Sequence, residues 1–443
     1  MNLRKHLILL AKLFFILVVT SNSVAANNTN NHLKNDRLGS ILNGYNHYIE
    51  QTFNRWQLPG LAIAVVDQSG IRYIKTLGVK KVGEHNSIDK NTIFRIASLS
   101  KALTSTLAFK VLKENNISLD KAFYRVVPDF KTADPKFRNV SIRNILSHTS
   151  GLSNDLYADL IESNFSYNEL KNRLTKVPKI ETPGKRYAYQ NFIYSLAGEA
   201  VSNITGRAYE DVLAEKIFKP LQMYNSSAGA ESFLNNSNKA LPHVFSNLKF
   251  YNSPKKLIST YYTVSPAGGV NSSIQDMGRW LHAQYGGTKI LSARDVSELT
   301  KPIIPYGEKN RNLLWKQKRY KGSYYALGWR KMNYAHKSIV LHGGVLHGYT
   351  NIIAYLPEEK VGIVILSNAN TPVPGFLMAR FFDTFLNLDL HDYNNIEYAK
   401  LVKASIKPKV TKTVKITTKT KSKKTATLLK TTKQTKITKT KKK

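Results

Sequence analysis

Cysteine is absent from this 443-residue chain. Its absence excludes disulfides, thiolate metal ligands, a cysteine nucleophile and a lipid-modified N-terminal cysteine, so the fold must be held by its core alone. Acidic residues are scarce: 29 Asp and Glu stand against 66 Lys and Arg, a formal net charge of +37. Long apolar runs are also missing. Leu7–Val19 comes nearest to membrane length, and Lys12 interrupts it. Preceded by Arg4 and Lys5 and followed by Ser23-Val24-Ala25, it reads as the apolar segment of a signal peptide over residues 1–25. The alternative is an uncleaved N-terminal anchor. The expectation is an exported protein, periplasmic or secreted, with no transmembrane span in the mature chain. Three enzyme signatures are lacking as well. There is no Gly-x-Ser-x-Gly elbow, no His-Glu-x-x-His, and no phosphate-cradling Gly-x-x-x-x-Gly-Lys. With no clustered acidic ligands either, no metal, nucleotide or other cofactor is called for.

The positive charge is concentrated at one end. Residues 401–443 hold 16 lysines and no acidic residue, so the remainder carries 37 − 16 = +21. This Lys/Thr-rich tail has little to bury and repels itself, which predicts disorder. It is either a solvated tail or an attachment to an anionic cell-surface polymer. It lacks interleaved aromatics for base stacking, which makes nucleic acid an unlikely partner. Residues 26–37 form a polar spacer, and 38–390 read as the globular domain.

Within that domain, Leu38, Ile41, Tyr45, Tyr48, Ile49, Phe53 and Trp56 recur at helical spacing up to Pro59-Gly60. Leu61–Asp67 and Ile71–Val79 predict a hairpin, and Thr350–Leu356 with Val361–Ser367 a second. A helix follows over about 376–388. Ala102–Leu112, Val140–Leu146, Gln190–Ser202 and Ser273–Tyr285 read as helices. The fold class is therefore α/β (α+β): an antiparallel sheet built from both chain ends and flanked by helices, with a mainly helical region inserted over 102–335.

Three motifs fall in order along the chain: Ser98-Leu99-Ser100-Lys101, Tyr189-Gln190-Asn191 and His342-Gly343-Gly344. They are separated by 189 − 98 = 91 and 342 − 189 = 153 residues. Each alone is weak: Ser253–Lys256 repeats the first, and Tyr349–Asn351 and Tyr393–Asn395 repeat the second. A lone Ser-x-x-Lys is usually a helix cap, and a lone Tyr-x-Asn a turn. Order and context give the three their meaning. Ser98 opens a helix, so Lys101 lies on the same face and, if desolvated, can take the hydroxyl proton. A phenol at Tyr189 can relay protons, and Asn191 can bond a substrate amide. His342-Gly343-Gly344 closes the strand-like run Ser338–Leu341, its glycines letting a ligand lie along the edge and its histidine presenting a polar ring. Ser253–Lys256 contains Pro254 and precedes a β-like run, Leu257–Val264, and reads as a loop.

The chain resembles the penicillin-recognising serine hydrolases related to class C β-lactamases and D,D-peptidases. Beyond the three motifs, the resemblance rests on Phe94-Arg95-Ile96-Ala97-Ser98, Ile145-Leu146-Ser147-His148-Thr149-Ser150-Gly151-Leu152, Pro266-Ala267-Gly268-Gly269-Val270, Asp276-Met277-Gly278-Arg279-Trp280-Leu281 and Leu327-Gly328-Trp329. It spans about Leu38 to Leu388. It implies Ser98 as acylated nucleophile, Lys101 as base and Tyr189 in proton transfer, with Asn191, His342, Gly343 and Gly344 binding substrate and His148 structural. Class C β-lactamases carry lysine at the position of His342, which here favours peptidase- or esterase-like members. The expected function is an exported serine hydrolase acting on D-amino-acid peptides, D-Ala-D-Ala carboxypeptidase-like, or on related amides and esters. The alternatives are a β-lactamase, and a catalytically inactive cell-surface binding protein. The expected substrate is a small peptide, ester or β-lactam.

Overall fold

The computed structural model describes residues 37–246, 248–254, 260–307, 319–395 and 398–399. The leader, nearly all of the spacer and the Lys/Thr tail lie outside the described residues, as does Lys256 of the second Ser-x-x-Lys.

Helix α1 covers 37–56 and leads into β1 (Gly60–Asp67) and β2 (Gly70–Gly78). The two-residue turn between them is closed by Asp67, whose carboxylate accepts from the Ser69 backbone N–H at 2.8 Å. Short strands β3 (Ile93–Arg95), β4 (Ser227–Ala228), β5 (His243–Ser246), β6 (Lys249–Asn252) and β7 (Val270–Ser273) form two small sheets, ordered β3-β7-β4 and β5-β6. The chain then lays down β8 (Ile304–Pro305), β9 (Tyr320–Tyr325), β10 (Arg330–Tyr334), β11 (Lys337–Leu346), β12 (Tyr349–Leu356) and β13 (Val361–Ser367). With β1 and β2 they make an eight-stranded antiparallel sheet, ordered β2-β1-β13-β12-β11-β10-β9-β8. Both chain ends do supply this sheet. Leu61 on β1 pairs with Ser367 on β13.

Every residue of β1 and β13 is buried, which explains their unbroken apolar runs: the sheet is covered on both faces. Period-two alternation sends Ile63 and Val65 into one cluster and Ala62, Ala64 and Val66 into the other. The first cluster packs against α1 and the C-terminal helix, the second against the helical layer. That layer includes α2 (Ser100–Glu114), α3 (Asn191–Thr205), α4 (Ser265–Gly268) and α5 (Ile274–Ala283). The C-terminal helix, α6, is Val373–Phe385.

In secondary structure, the described residues depart from the sequence reading in three places. The inserted region ends well before 335, because β8, β9 and β10 extend the large sheet; their half-exposed, polar pattern gave no strand signal. β11 continues through His342-Gly343-Gly344 to Leu346, since ladder pairing with β12 (His342 to Ile353, Gly344 to Asn351) holds these glycines extended. The described part of Leu257–Val264 is not a strand: Tyr261 has φ +68° and Tyr262–Val264 is a single 3-10 turn.

Candidate active site

Ser98 sits where β3 gives way to α2. Its predecessor Ala97 has φ +51°, a left-handed conformation that costs a non-glycine residue roughly 1–2 kcal/mol and must be held by its surroundings. The chain passes through one 3-10 turn, Ala97–Leu99, and enters α2 without a side-chain cap. Ser100 ties the turn down instead. Its Oγ donates to the Ala97 carbonyl at 2.6 Å and accepts from the Val270 N–H at 3.1 Å. Ser98 is left half-buried on the wall of a cavity of about 650 Å³ at the junction of sheet and helical layer.

Lys101, three residues further along, is fully buried. Its Nζ lies 3.2 Å from Ser98 Oγ, 2.7 Å from Asn191 Oδ1 and 2.8 Å from the Ala267 carbonyl. A neutral amine has two N–H donors and one lone pair. Donation to Asn191 and Ala267 therefore leaves the lone pair for the Ser98 hydroxyl proton. Burial drives the Lys101 pKa well below its ordinary value, and Arg330 adds to the effect. The Tyr189 hydroxyl donates to Ser98 Oγ at 2.8 Å, and its ring lies 4.6 Å from Lys101 Nζ. Burial raises the Tyr189 pKa far above the usual phenol range, against an opposing pull from Arg330. The phenol keeps its proton.

The blocks that carried the resemblance surround this group. His148 is buried, and its ring centroid is 4.3 Å from that of Tyr189 and 4.9 Å from that of Tyr325. Its Nδ1 accepts from the Gln190 N–H at 3.1 Å, which puts the proton of the neutral ring on Nε2. Asn154 Oδ1 accepts from the Tyr189 N–H at 2.9 Å, and Ser150 Oγ donates to Gln190 Oε1 at 2.6 Å. The 148–155 loop is thus a cradle for Tyr189. Gly328 serves Lys101 in a related way. With φ +72°, a Cβ there would lie 2.7 Å from the Lys101 carbonyl and 2.6 Å from Ser105 Oγ, so only glycine lets β9–β10 close on α2.

Of the third motif, Gly343 lines the cavity and Gly344 presses on the Ser98 turn. A Cβ on Gly344 would stand 2.4 Å from the Ile96 carbonyl and 3.3 Å from Ser98 N. His342 is placed differently from the sequence expectation. It is fully buried and does not line the cavity; Tyr325 OH lies 3.1 Å from its Nε2, and its Nδ1 is 2.8 Å from the Gly343 carbonyl. Donation from Nδ1 to that carbonyl leaves Nε2 to accept from Tyr325. Burial, Arg330 and Lys101 all push the His342 pKa well down, so no cation stands at this position. On β11, β10 pairs only with Lys337–Leu341, and among the described residues no strand pairs with the outer edge of β11 from His342 to Leu346.

Sequence reasoning missed Arg330. It lines the cavity, packs 5.5 Å from the Tyr306 ring and pairs in register with Leu341, next to the motif. Burial works against its charge, but a guanidinium keeps its proton at any working pH, and its pKa here is not lowered, so a cation stands in the cavity wall. Its signal was its place directly after Leu327-Gly328-Trp329.

The family described as Beta-lactamase matches residues 46–385. Protein flp of Staphylococcus aureus (strain MRSA252) is 26% identical over 336 residues, covering 73% of this chain and 62% of flp. An unguisins hydrolase, ungD', of Aspergillus campestris is 24% identical over 342 residues, covering 73% of this chain and 60% of that protein. The chain thus spans about three fifths of the length of these curated relatives. Among solved structures, the octameric penicillin-binding protein homologue from Pyrococcus abyssi superposes with a TM-score of 0.69 at 22% identity, over 79% of this chain and 78% of that one. The fold is that of the penicillin-recognising serine hydrolases. The chain belongs to the beta-lactamase family.

Proposed function

We propose that this protein is an exported hydrolase that forms an acyl-enzyme on Ser98, acting on D-amino-acid peptides of the D-Ala-D-Ala carboxypeptidase type or on related amides and esters. The observation that carries it is the mutual contact of Ser98, Lys101 and Tyr189. Ser98 Oγ attacks the substrate carbonyl while its proton passes to neutral Lys101. The oxyanion forms beside the Ser98 N–H and the edge of β11 that no described strand pairs with, where fixed backbone dipoles meet developing charge. As the scissile bond breaks, Tyr189 gives its proton to the leaving group and regains one from the Lys101 ammonium. Water then attacks the acyl carbon by the reverse proton path, releasing the acid and free Ser98.

Arg330 offers the cation that His342 does not, and a carboxylate on the leaving side of the substrate can pair with it. A β-lactam carries such a carboxylate too, which keeps β-lactamase activity as the second reading. The Lys/Thr tail is proposed to attach the enzyme to an anionic cell-surface polymer. The test is covalent labelling by a fluorescent penicillin and by a fluorophosphonate, followed by turnover of nitrocefin, a D-Ala-D-Ala peptide and a short-chain ester. Labelling is expected in wild type and absent in Ser98→Ala; equal labelling of both refutes the assignment.

A further inference from the structure

The cavity carries opposite charge at its two ends, and β11 gives the spacing. Arg330 stands at one end, paired in register with Leu341. Ser98 N abuts Gly344 at the middle. Beyond Leu346, at the other end, Glu162, Tyr261 and His347 close the cavity. Tyr261 OH donates to Glu162 Oε1 at 3.1 Å, and His347 Nε2 lies 3.7 Å from the same oxygen. Among the described residues both of these contacts fall on Oε1, and the Glu162 side chain is 47% exposed. At about 3.3 Å of rise per residue, Glu162 lies roughly 10 Å along the strand edge from the nucleophile.

We propose that Glu162 selects acyl donors bearing a protonated amine about three residue-lengths (~10 Å) from the scissile carbonyl. This rests on the acyl-transfer reading above and deepens it by naming a substrate class: a cationic acyl end with an anionic or neutral leaving end. The Tyr261 phenol orients this carboxylate, the His347 imidazole stands nearby, and among the described residues no Lys or Arg pairs with it. Its side chain remains accessible to an incoming ammonium. An extended substrate pairing with the β11 edge would bring its far end to this carboxylate. The charge order along the edge also sets the direction in which a zwitterionic substrate lies down.

The experiment uses a matched pair, the 4-nitrophenyl esters of 8-aminooctanoic acid and of its N-acetyl derivative. They are assayed at about pH 8, where an alkyl amine keeps its proton. The quantity read is the ratio of their kcat/KM values, so each protein serves as its own reference. Wild type is expected to favour the amine. Glu162→Gln should lower the ratio about two- to five-fold, the range of a partly exposed ion pair, and Glu162→Lys should lower it further. Added salt should shrink the wild-type preference. A ratio that stays the same in both variants, while wild type hydrolyses the acetylated ester faster than Ser98→Ala does, overturns this inference and leaves the acyl-transfer reading standing. Hydrolysis of neither ester beyond the Ser98→Ala rate overturns both.

Discussion

Replacing Lys101 with methionine separates chemistry from packing at the centre of this site. Methionine fills nearly the same volume and removes the amine. Two acceptors, Asn191 Oδ1 and the buried Ala267 carbonyl, then lose their donor. An orphaned buried acceptor costs about 1–3 kcal/mol, but the variant no longer has to strip water from an amine, so the two effects largely cancel. A fall of only a few degrees in Tm is expected. Acylation should fall far more. Losing a positioned general base costs about 10²- to 10⁴-fold, roughly 3–5 kcal/mol of barrier. The assay is the pseudo-first-order rate of fluorophosphonate labelling as a function of pH, beside thermal unfolding. In wild type the rate should climb with pH as Lys101 loses its proton, with an inflection below the ordinary lysine range, because burial and Arg330 both depress that pKa. In Lys101→Met that limb should vanish. Stability carries the same signature. Between the folded and unfolded pKa values of Lys101 the unfolded chain binds the extra proton, so wild-type stability rises with pH across that window, and Lys101→Met should lack this component. Labelling within ten-fold of wild type, or a wild-type inflection at or above the ordinary lysine value, would refute a neutral amine acting on Ser98.

Arg330→Ala should lower kcat/KM on substrates whose leaving group ends in a carboxylate by about 10- to 100-fold, the worth of a charged hydrogen bond, and much less on a neutral ester. It should also move the Lys101 limb to higher pH, since Arg330 is one cause of the depression. Gly344→Ala would force a Cβ to within 2.4 Å of the Ile96 carbonyl, so a drop of several degrees in Tm is expected, with labelling of Ser98 slowed as its turn shifts. Removing the residues after Lys403 should weaken retention on anionic polymer beads in a salt-dependent way and leave short-chain ester turnover unchanged; lost turnover would assign the tail to the folded domain.

Much of the frame was legible because it is local. Leu61–Asp67 and Val361–Ser367 are apolar without interruption, and such runs bounded by turn residues read as buried strands. Phe192 to Val201 keeps a helical period, and α3 forms where that period lies. The order of the three motifs was equally plain. What stayed hidden depends on long-range contact or on backbone conformation. Nothing near Lys101 foretells its bond to the Ala267 carbonyl, 166 residues away. The left-handed turn at Ala97 has no sequence mark, since alanine normally avoids it. Polar β9 and β10 join the sheet through pairing rather than apolar pattern, and they carry Arg330 with them. His342 was expected to face the ligand; strand alternation turns it toward the helical layer with Gly344, and burial leaves it uncharged.

The pairing of Leu61 with Ser367 has a consequence for how the protein is made. During synthesis the first hairpin emerges some three hundred residues ahead of its neighbour β13, and until Val361–Ser367 arrives the hairpin has an open flank. The ribosome therefore releases Ser98, Lys101 and Tyr189 long before the wall that carries Gly344 exists. A nascent or prematurely terminated chain holds the Ser98 hydroxyl without the strand that shapes its surroundings, and the proposed acyl transfer waits on β13, the last of the described strands to be translated.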